Sequence, residues 1–164
     1  MTMEDMKSYD ISIRRPLSIS YRGYKLFSTG APSGGSVALS ILKIIEGYDM
    51  SDPALLNLST HRVDEAMRFS YGAHTELGDP DFFDYMIDFE TEMLRPERAS
   101  SIRARISDHH TKNVSAYDPK GFVIPESHGT SHVVAADKSG MTITLTSTVN
   151  LLFGSQLMVP ETGI

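Results

Sequence analysis

The 164-residue chain contains no cysteine, which removes disulfide frameworks, thiol nucleophiles and cysteine metal sites. It has no uninterrupted run of roughly 18 apolar residues, so no segment reads as a membrane span. The opening stretch from Met1 to Arg15 is polar and charged and lacks the pattern of a signal peptide. Basic residues are outnumbered, 15 Lys and Arg against 21 Asp and Glu, for a formal net charge of -6. That sign argues against a partner whose phosphates must be neutralised, and no nucleic acid is expected. No Gly-x-Ser-x-Gly elbow presents a serine nucleophile. No His-Glu-x-x-His spacing gathers the histidines into a zinc site, so no metal is expected. Repeats and low-complexity tracts are missing too. What remains is ordinary soluble composition at about the length of one domain.

The residues that are present divide the chain in two. Residues 1–16 read as a charged lead-in ending at Arg14-Arg15-Pro16. Leu17, Ile19 and Tyr21 alternate with polar residues, Arg22-Gly23 supplies a turn, and Tyr24, Leu26 and Phe27 return, which predicts a hairpin over 17–29. The Gly30-Ala31-Pro32-Ser33-Gly34-Gly35 loop lacks the Gly-Lys-Ser/Thr ending of a phosphate cradle. It reads as a tight turn that lets the next helix, 36–46, pack closely. Further helices are expected over about 60–71, ended by Gly72, then over 82–94, where the Phe and Met residues read as core, and over 97–107 after Pro96. Residues 108–129, polar and punctuated by Pro and Gly, read as an exposed connector. From residue 130 the character changes. A short strand over 132–137 and a Lys138-Ser139-Gly140 turn lead into strict alternation over 141–149. Met141, Ile143 and Leu145 lie on one face of it, and Thr142, Thr144, Thr146 and Thr148 on the other. Only Asp137, Lys138 and Glu161 carry charge in this second part.

With thiols excluded, the residue of chemical interest is Thr130, where the Pro/Gly connector meets the first strand of the β part. Were the chain cut between Gly129 and Thr130, Thr130 would carry a free α-amino group beside its own hydroxyl. Such an amine, with an ordinary pKa of about 7.7–8.0, serves as a base near neutrality. One residue then supplies both nucleophile and base. The same hydroxyl is placed to make the cut by attacking the Gly129 carbonyl, which no side chain shields. The histidines at 109, 110, 128 and 132 read as loop and surface residues.

The stretch from Thr130-Ser131-His132 through Asp137-Lys138-Ser139-Gly140 continues in Thr146-Ser147-Thr148-Val149-Asn150-Leu151-Leu152-Phe153-Gly154-Ser155 and Pro160-Glu161-Thr162-Gly163. This ordered set resembles the start of the small subunit of γ-glutamyltranspeptidases (glutathione hydrolases). Upstream, Tyr24-Lys25-Leu26-Phe27, Pro32-Ser33-Gly34-Gly35, Glu65-Ala66-Met67 and Leu77-Gly78-Asp79-Pro80-Asp81-Phe82 resemble that family's large subunit, so the likeness covers about residues 15–164. It implies an α+β fold, part of the αββα sandwich of N-terminal nucleophile hydrolases. It also implies that Gly129–Thr130 is the autocleavage bond, joining a large-subunit-like region, 1–129, to the start of a small-subunit-like region, 130–164. Thr130 would be the nucleophile, Thr148 would orient and activate it, and Asn150 would bind the α-amino end of the γ-glutamyl group. Thr148 and Asn150 are two apart, so in a strand both point to one face.

The implied reaction is acyl transfer from glutathione or another γ-glutamyl amide to water, an amino acid or a dipeptide, with no cofactor. The implied assembly is a large/small subunit heterodimer formed by autocleavage of a full-length parent several hundred residues long. The family's substrate-binding Arg, its acidic Asn-Asn-Glu-Met-Asp-Asp-Phe stretch, its Ser pair and its Gly-Gly oxyanion donors are not matched here, so the 164 residues alone are expected to be inactive. Two other readings stay open: a non-catalytic truncated fragment, and another N-terminal-Thr amidohydrolase of the acylase type. The sequons Asn57-Leu58-Ser59 and Asn113-Val114-Ser115 make Asn57 and Asn113 candidate glycan acceptors. They fit the family's secretory location (vacuole, cell surface or secreted), although this chain shows no signal or anchor of its own.

Overall fold

The computed structural model describes residues 2–122, 129–149, 151–152, 154 and 156–161. The elements in chain order are α1 (Met3–Ser8), β1 (Leu17–Tyr21), β2 (Tyr24–Ser28), α2 (Gly35–Ile45), a 3-10 turn (Pro53–Leu55), α3 (Leu56–His74), α4 (Met86–Met93), α5 (Pro96–Arg103), α6 (Val114–Tyr117), β3 (Ser131–Ala136) and β4 (Thr142–Ser147). They form two compact units, one of residues 12–123 and one of residues 1–11 with 124–164.

In the larger unit, β1 and β2 pair antiparallel with Ile19 opposite Leu26. The turn residues Arg22 and Gly23 both have positive φ, 48° and 87°, the handedness that matches strand twist in a two-residue hairpin. The Arg22 amide donates to Glu46 Oε1 at 2.8 Å, and Lys43 Nζ donates to the Ser20 carbonyl at 3.1 Å, so the hairpin is tied to the end of α2. At the start of α2 a Cβ on Gly35 would overlap the Thr29 carbonyl oxygen. The glycine-rich loop is therefore a close-packing device, as expected. Ile44, Ala66, Phe69, Ala99, Ile102 and Tyr117 form the core, gathered from α2, α3, α5 and α6.

Several boundaries differ from the sequence reading, each for a local reason. The lead-in holds a helix, α1, closed by a capping box in which the Asp5 amide donates to Thr2 Oγ1 and the Thr2 amide donates to Asp5 Oδ2. Farther along, Arg14 pairs with Asp79 and Asp81 at 2.9 and 2.7 Å and Ser12 Oγ donates to Asp81, so this stretch is fastened to the 79–82 turn. Asp79 organises that turn. Its carboxylate accepts from the Asp81 amide inside a turn, and α4 starts only at Met86. On α4, Met86, Glu90 and Met93 are buried, whereas Phe82 and Ile87 are exposed, so the expected apolar core at 82–94 is narrower than its composition. Helix α3 runs through Gly72 instead of ending there, and the glycine is explained by the Tyr117 carbonyl, which comes against the helix where a Cβ would sit. Helix α5 stops at Arg103, short of the expected 107.

The 108–129 connector is not uniformly exposed. It carries α6, whose Tyr117 is buried edge-on to Phe69 with centroids 4.8 Å apart. The Tyr117 hydroxyl lies 2.8 Å from each carboxylate oxygen of the fully buried Glu65, and it accepts from the Lys112 amide. Burial and the Glu65 carboxylate both push the Tyr117 hydroxyl pKa up.

In the smaller unit, β3 and β4 form an antiparallel hairpin, with Ser131 opposite Ser147 and Ala136 opposite Thr142. Its turn is organised by Asp137, whose Oδ1 accepts from the Ser139 and Met141 amides at 2.8 and 3.0 Å, while Gly140 takes a φ of 87°. Both faces of the hairpin are exposed, Val133 and Leu145 on one and Val134 on the other.

Candidate active site at the Gly129–Thr130 junction

Pleating decides what shares a face of this hairpin. With Ser131 opposite Ser147 and Val133 opposite Leu145, those residues form one face. The other carries His132 opposite Thr146, Val134 opposite Thr144 and Ala136 opposite Thr142. The last pair is Ser131 and Ser147, and the same alternation continued one residue past it puts Thr130 and Thr148 at the next rung, on that second face.

A hydrogen bond fixes the geometry at this rung. Thr148 Oγ1 donates to the carbonyl oxygen of Gly129 at 2.7 Å, within the range for a sound O–H···O bond. The acceptor is the carbonyl of the bond singled out in the sequence, and Thr130 begins immediately after it. Gly129, Thr130, Ser131, Ser147 and Thr148 line an open concavity of about 400 Å³. A hydroxyl donor on a peptide carbonyl polarises it. When a nucleophile adds, the same donor is in place for the negative charge that develops on that oxygen.

The structure thus brings Gly129, Thr130 and Thr148 together. Asn150 lies outside the described residues. The two sequon asparagines fall in different settings. Asn57 is in the first turn of α3 and its Ser59 is buried, whereas Asn113 precedes α6 in extended backbone (φ -66°, ψ 152°) with Val114 and Ser115 exposed. Among the described residues no group of three or more His, Asp or Glu is arranged to hold a metal. Among them, too, no helix is long and apolar enough to cross a membrane.

One contact was not foreseen. His132 is exposed and lies in the strand expected over 132–137. It is in β3, and its Nδ1 lies 2.8 Å from Thr146 Oγ1 across the ladder. The sequence signal that finds it is the two-residue step from Thr130 to His132, matched by the step from Thr148 to Thr146 once the hairpin is aligned from its Asp137–Gly140 turn.

A family model described as Gamma-glutamyltranspeptidase matches residues 1–164. The chain is 50% identical over 167 residues to a glutathione hydrolase proenzyme of Arthroderma benhamiae, covering 100% of this chain and 28% of that one. It is 45% identical over 165 residues to a glutathione hydrolase of Aspergillus flavus, again covering 100% of this chain and 28% of the relative. It therefore spans just over a quarter of the length of these curated relatives. The crystal structure of Helicobacter pylori gamma-glutamyltranspeptidase aligns with a TM-score of 0.62 at 33% identity, over 70% of this chain and 33% of the other. The likeness shows the α+β fold, part of the N-terminal nucleophile hydrolase architecture, that the motifs implied.

Proposed function

Because this chain belongs to the γ-glutamyltranspeptidase family, we propose that it carries the processing bond and the nucleophile of an enzyme that transfers or hydrolyses γ-glutamyl groups. The observation that carries the reading is the 2.7 Å bond from Thr148 Oγ1 to the Gly129 carbonyl. In the processing step Thr130 Oγ adds to the Gly129 carbonyl carbon and gives up its proton. The carbonyl oxygen becomes an oxyanion that accepts from Thr148. The C–N bond then breaks as the Thr130 nitrogen takes a proton, leaving an ester between Gly129 and Thr130 Oγ. Water cleaves that ester, giving a Gly129 carboxylate and a Thr130 with a free α-amino group.

The same hydroxyl then attacks the γ-glutamyl amide carbon of glutathione or a related donor, its own α-amine taking the proton and handing it to the departing amine as the amide C–N bond breaks. The γ-glutamyl ester so formed passes to water, an amino acid or a dipeptide, and Asn150 holds the α-amino end of the donor. Residues 1–129 close the large subunit and residues 130–164 open the small one, the two remaining together as a heterodimer. The sequons support passage of the full-length protein through the secretory pathway, with Asn113 as the acceptor.

The test is the intact mass of the full-length gene product together with N-terminal sequencing. The expected result is two chains, the shorter beginning Thr-Ser-His-Val, and turnover of a γ-glutamyl anilide, both abolished by Thr130→Ala. A single uncut chain that hydrolyses the anilide overturns the role of Thr130.

A further inference from the structure

Glu90 is a carboxylate in a costly place. It lies on α4 and is only 4% exposed. Its Oε1 accepts from the Ala31 amide at 2.8 Å. Its Oε2 accepts from no group among the described residues, yet is not sealed away from solvent. A carboxylate offers about four acceptor positions, and a buried one is unfavourable unless they are met. One backbone amide leaves most of that demand open.

Room for a further donor lies beside it. Glu90 lines a cavity of about 520 Å³ built wholly from the larger unit, a size that suits a small molecule. Leu17, Ala31, Pro80 and Ile87 give the cavity apolar walls. Gly30 lines it too, and a Cβ there would stand 3.1 Å from Glu90 Oε2. The glycine thus leaves open the space next to the carboxylate.

The other charges around the cavity define what fits. Arg14 and Asp81 pair with each other at 2.7 Å, and Arg14 pairs with Asp79 as well. Arg15 is exposed and, among the described residues, has no carboxylate within ion-pair distance. One anion on the buried wall and one cation on the exposed side are left over. Arg15 disfavours a ligand that is only cationic, and Glu90 one that is only anionic. A ligand carrying both an ammonium and a carboxylate meets each with an opposite charge.

We propose that this cavity binds an amino acid with an apolar side chain. Its ammonium donates to Glu90 Oε2, its carboxylate accepts from the Arg15 guanidinium, and its side chain lies against Leu17, Pro80 and Ile87. Nothing in this site depends on the cut at Gly129–Thr130.

The test is calorimetric titration of the full-length gene product with L-leucine, with no γ-glutamyl donor present. Two controls share the leucine side chain: 4-methylpentanoate lacks the ammonium and 3-methylbutylamine lacks the carboxylate. L-leucine is expected to bind, and 4-methylpentanoate at least about tenfold more weakly, for loss of the charge-assisted bond to Glu90. The bond to exposed Arg15 is weaker, so 3-methylbutylamine is expected to lose about threefold. Glu90→Gln keeps an oxygen for the Ala31 amide and removes the charge. It is expected to weaken L-leucine at least about tenfold and 4-methylpentanoate not at all. Arg15→Ala, at an exposed position, is expected to weaken L-leucine about threefold and 3-methylbutylamine not at all. If Glu90→Gln does not fold, Arg15→Ala decides. The proposal is overturned if L-leucine does not bind the natural chain, or if either control binds as tightly as L-leucine. Undiminished L-leucine binding by Arg15→Ala, or by a folded Glu90→Gln chain, overturns it too.

Discussion

Replacing Thr148 by Val removes one hydroxyl and leaves a side chain of nearly the same shape, with the same branching at Cβ and the same restricted χ1. In the ground state the loss is small. The 2.7 Å bond to the Gly129 carbonyl is made at an exposed position, where water takes the vacated place on the oxygen. Stability should therefore change by less than about 0.5 kcal/mol. The transition state is different. As Thr130 Oγ adds, the Gly129 oxygen gains negative charge, and the hydroxyl that was a modest partner becomes an oxyanion donor. Deleting one such donor costs about 2.7–4 kcal/mol, or a factor of about 100 to 1,000 in rate. Thr148→Val in the full-length gene product is thus expected to accumulate as intact precursor, with melting temperature unchanged and the cut slowed at least about a hundredfold. Thr148→Ser should process within roughly tenfold of the natural chain, slowed only by its freer rotamer. The assay is the time course of subunit appearance from purified precursor, by gel and intact mass. A Thr148→Val chain that matures at the natural rate refutes the reasoning, even if the matured enzyme has lost turnover. That outcome would place Thr148 in the later chemistry only.

Three further outcomes follow from other parts of the chain. Tyr117→Phe removes the hydroxyl that faces both oxygens of the fully buried Glu65. Stranding that carboxyl should cost about 2–4 kcal/mol in denaturant unfolding, and Glu65→Gln, which can still meet the hydroxyl, should cost clearly less. Hydrogen bonds from the Ser139 hydroxyl and from the Ser139 and Met141 amides hold the Asp137 carboxyl below its ordinary pKa. Its contribution to the turn is therefore complete above about pH 4 and is lost as pH falls through the depressed value. The protection factors of the Ser139 and Met141 amides against exchange should fall over that acid range, and Asp137→Ala should show low protection at every pH. In a secretory host, glycopeptide mass mapping should find the glycan on Asn113, which stands in exposed extended backbone, and not on Asn57, whose Ser59 is buried in α3. Occupancy of Asn57 alone would refute the argument from backbone setting.

The hairpins were legible in the sequence because their turns carry their own chemistry. Arg22-Gly23 and the Asp137–Gly140 turn set strand pairing without help from elsewhere. The α3 boundary and α6 were not legible, and for one shared reason. Gly72 reads as a helix stop, yet its missing side chain is used for the approach of the Tyr117 carbonyl. A four-residue helix has no period to detect, and the Tyr117–Glu65 contact joins residues 52 positions apart. The site divides in the same way. Thr130, Thr148 and the Gly129–Thr130 junction stood out through the order of the motifs. The bond to Gly129 and the His132–Thr146 pair did not, because both depend on which residue faces which across the ladder. By composition the four threonines of β4 and its outer rung are equivalent members of a solvent-facing row. Register separates them: two face Val134 and Ala136, one faces His132, and one reaches the Gly129 carbonyl. A one-residue slip would turn every one of these side chains to the opposite face. The Asp137 carboxylate, by fixing the turn from which register is counted, therefore governs the placement of Thr148 from the far end of the hairpin.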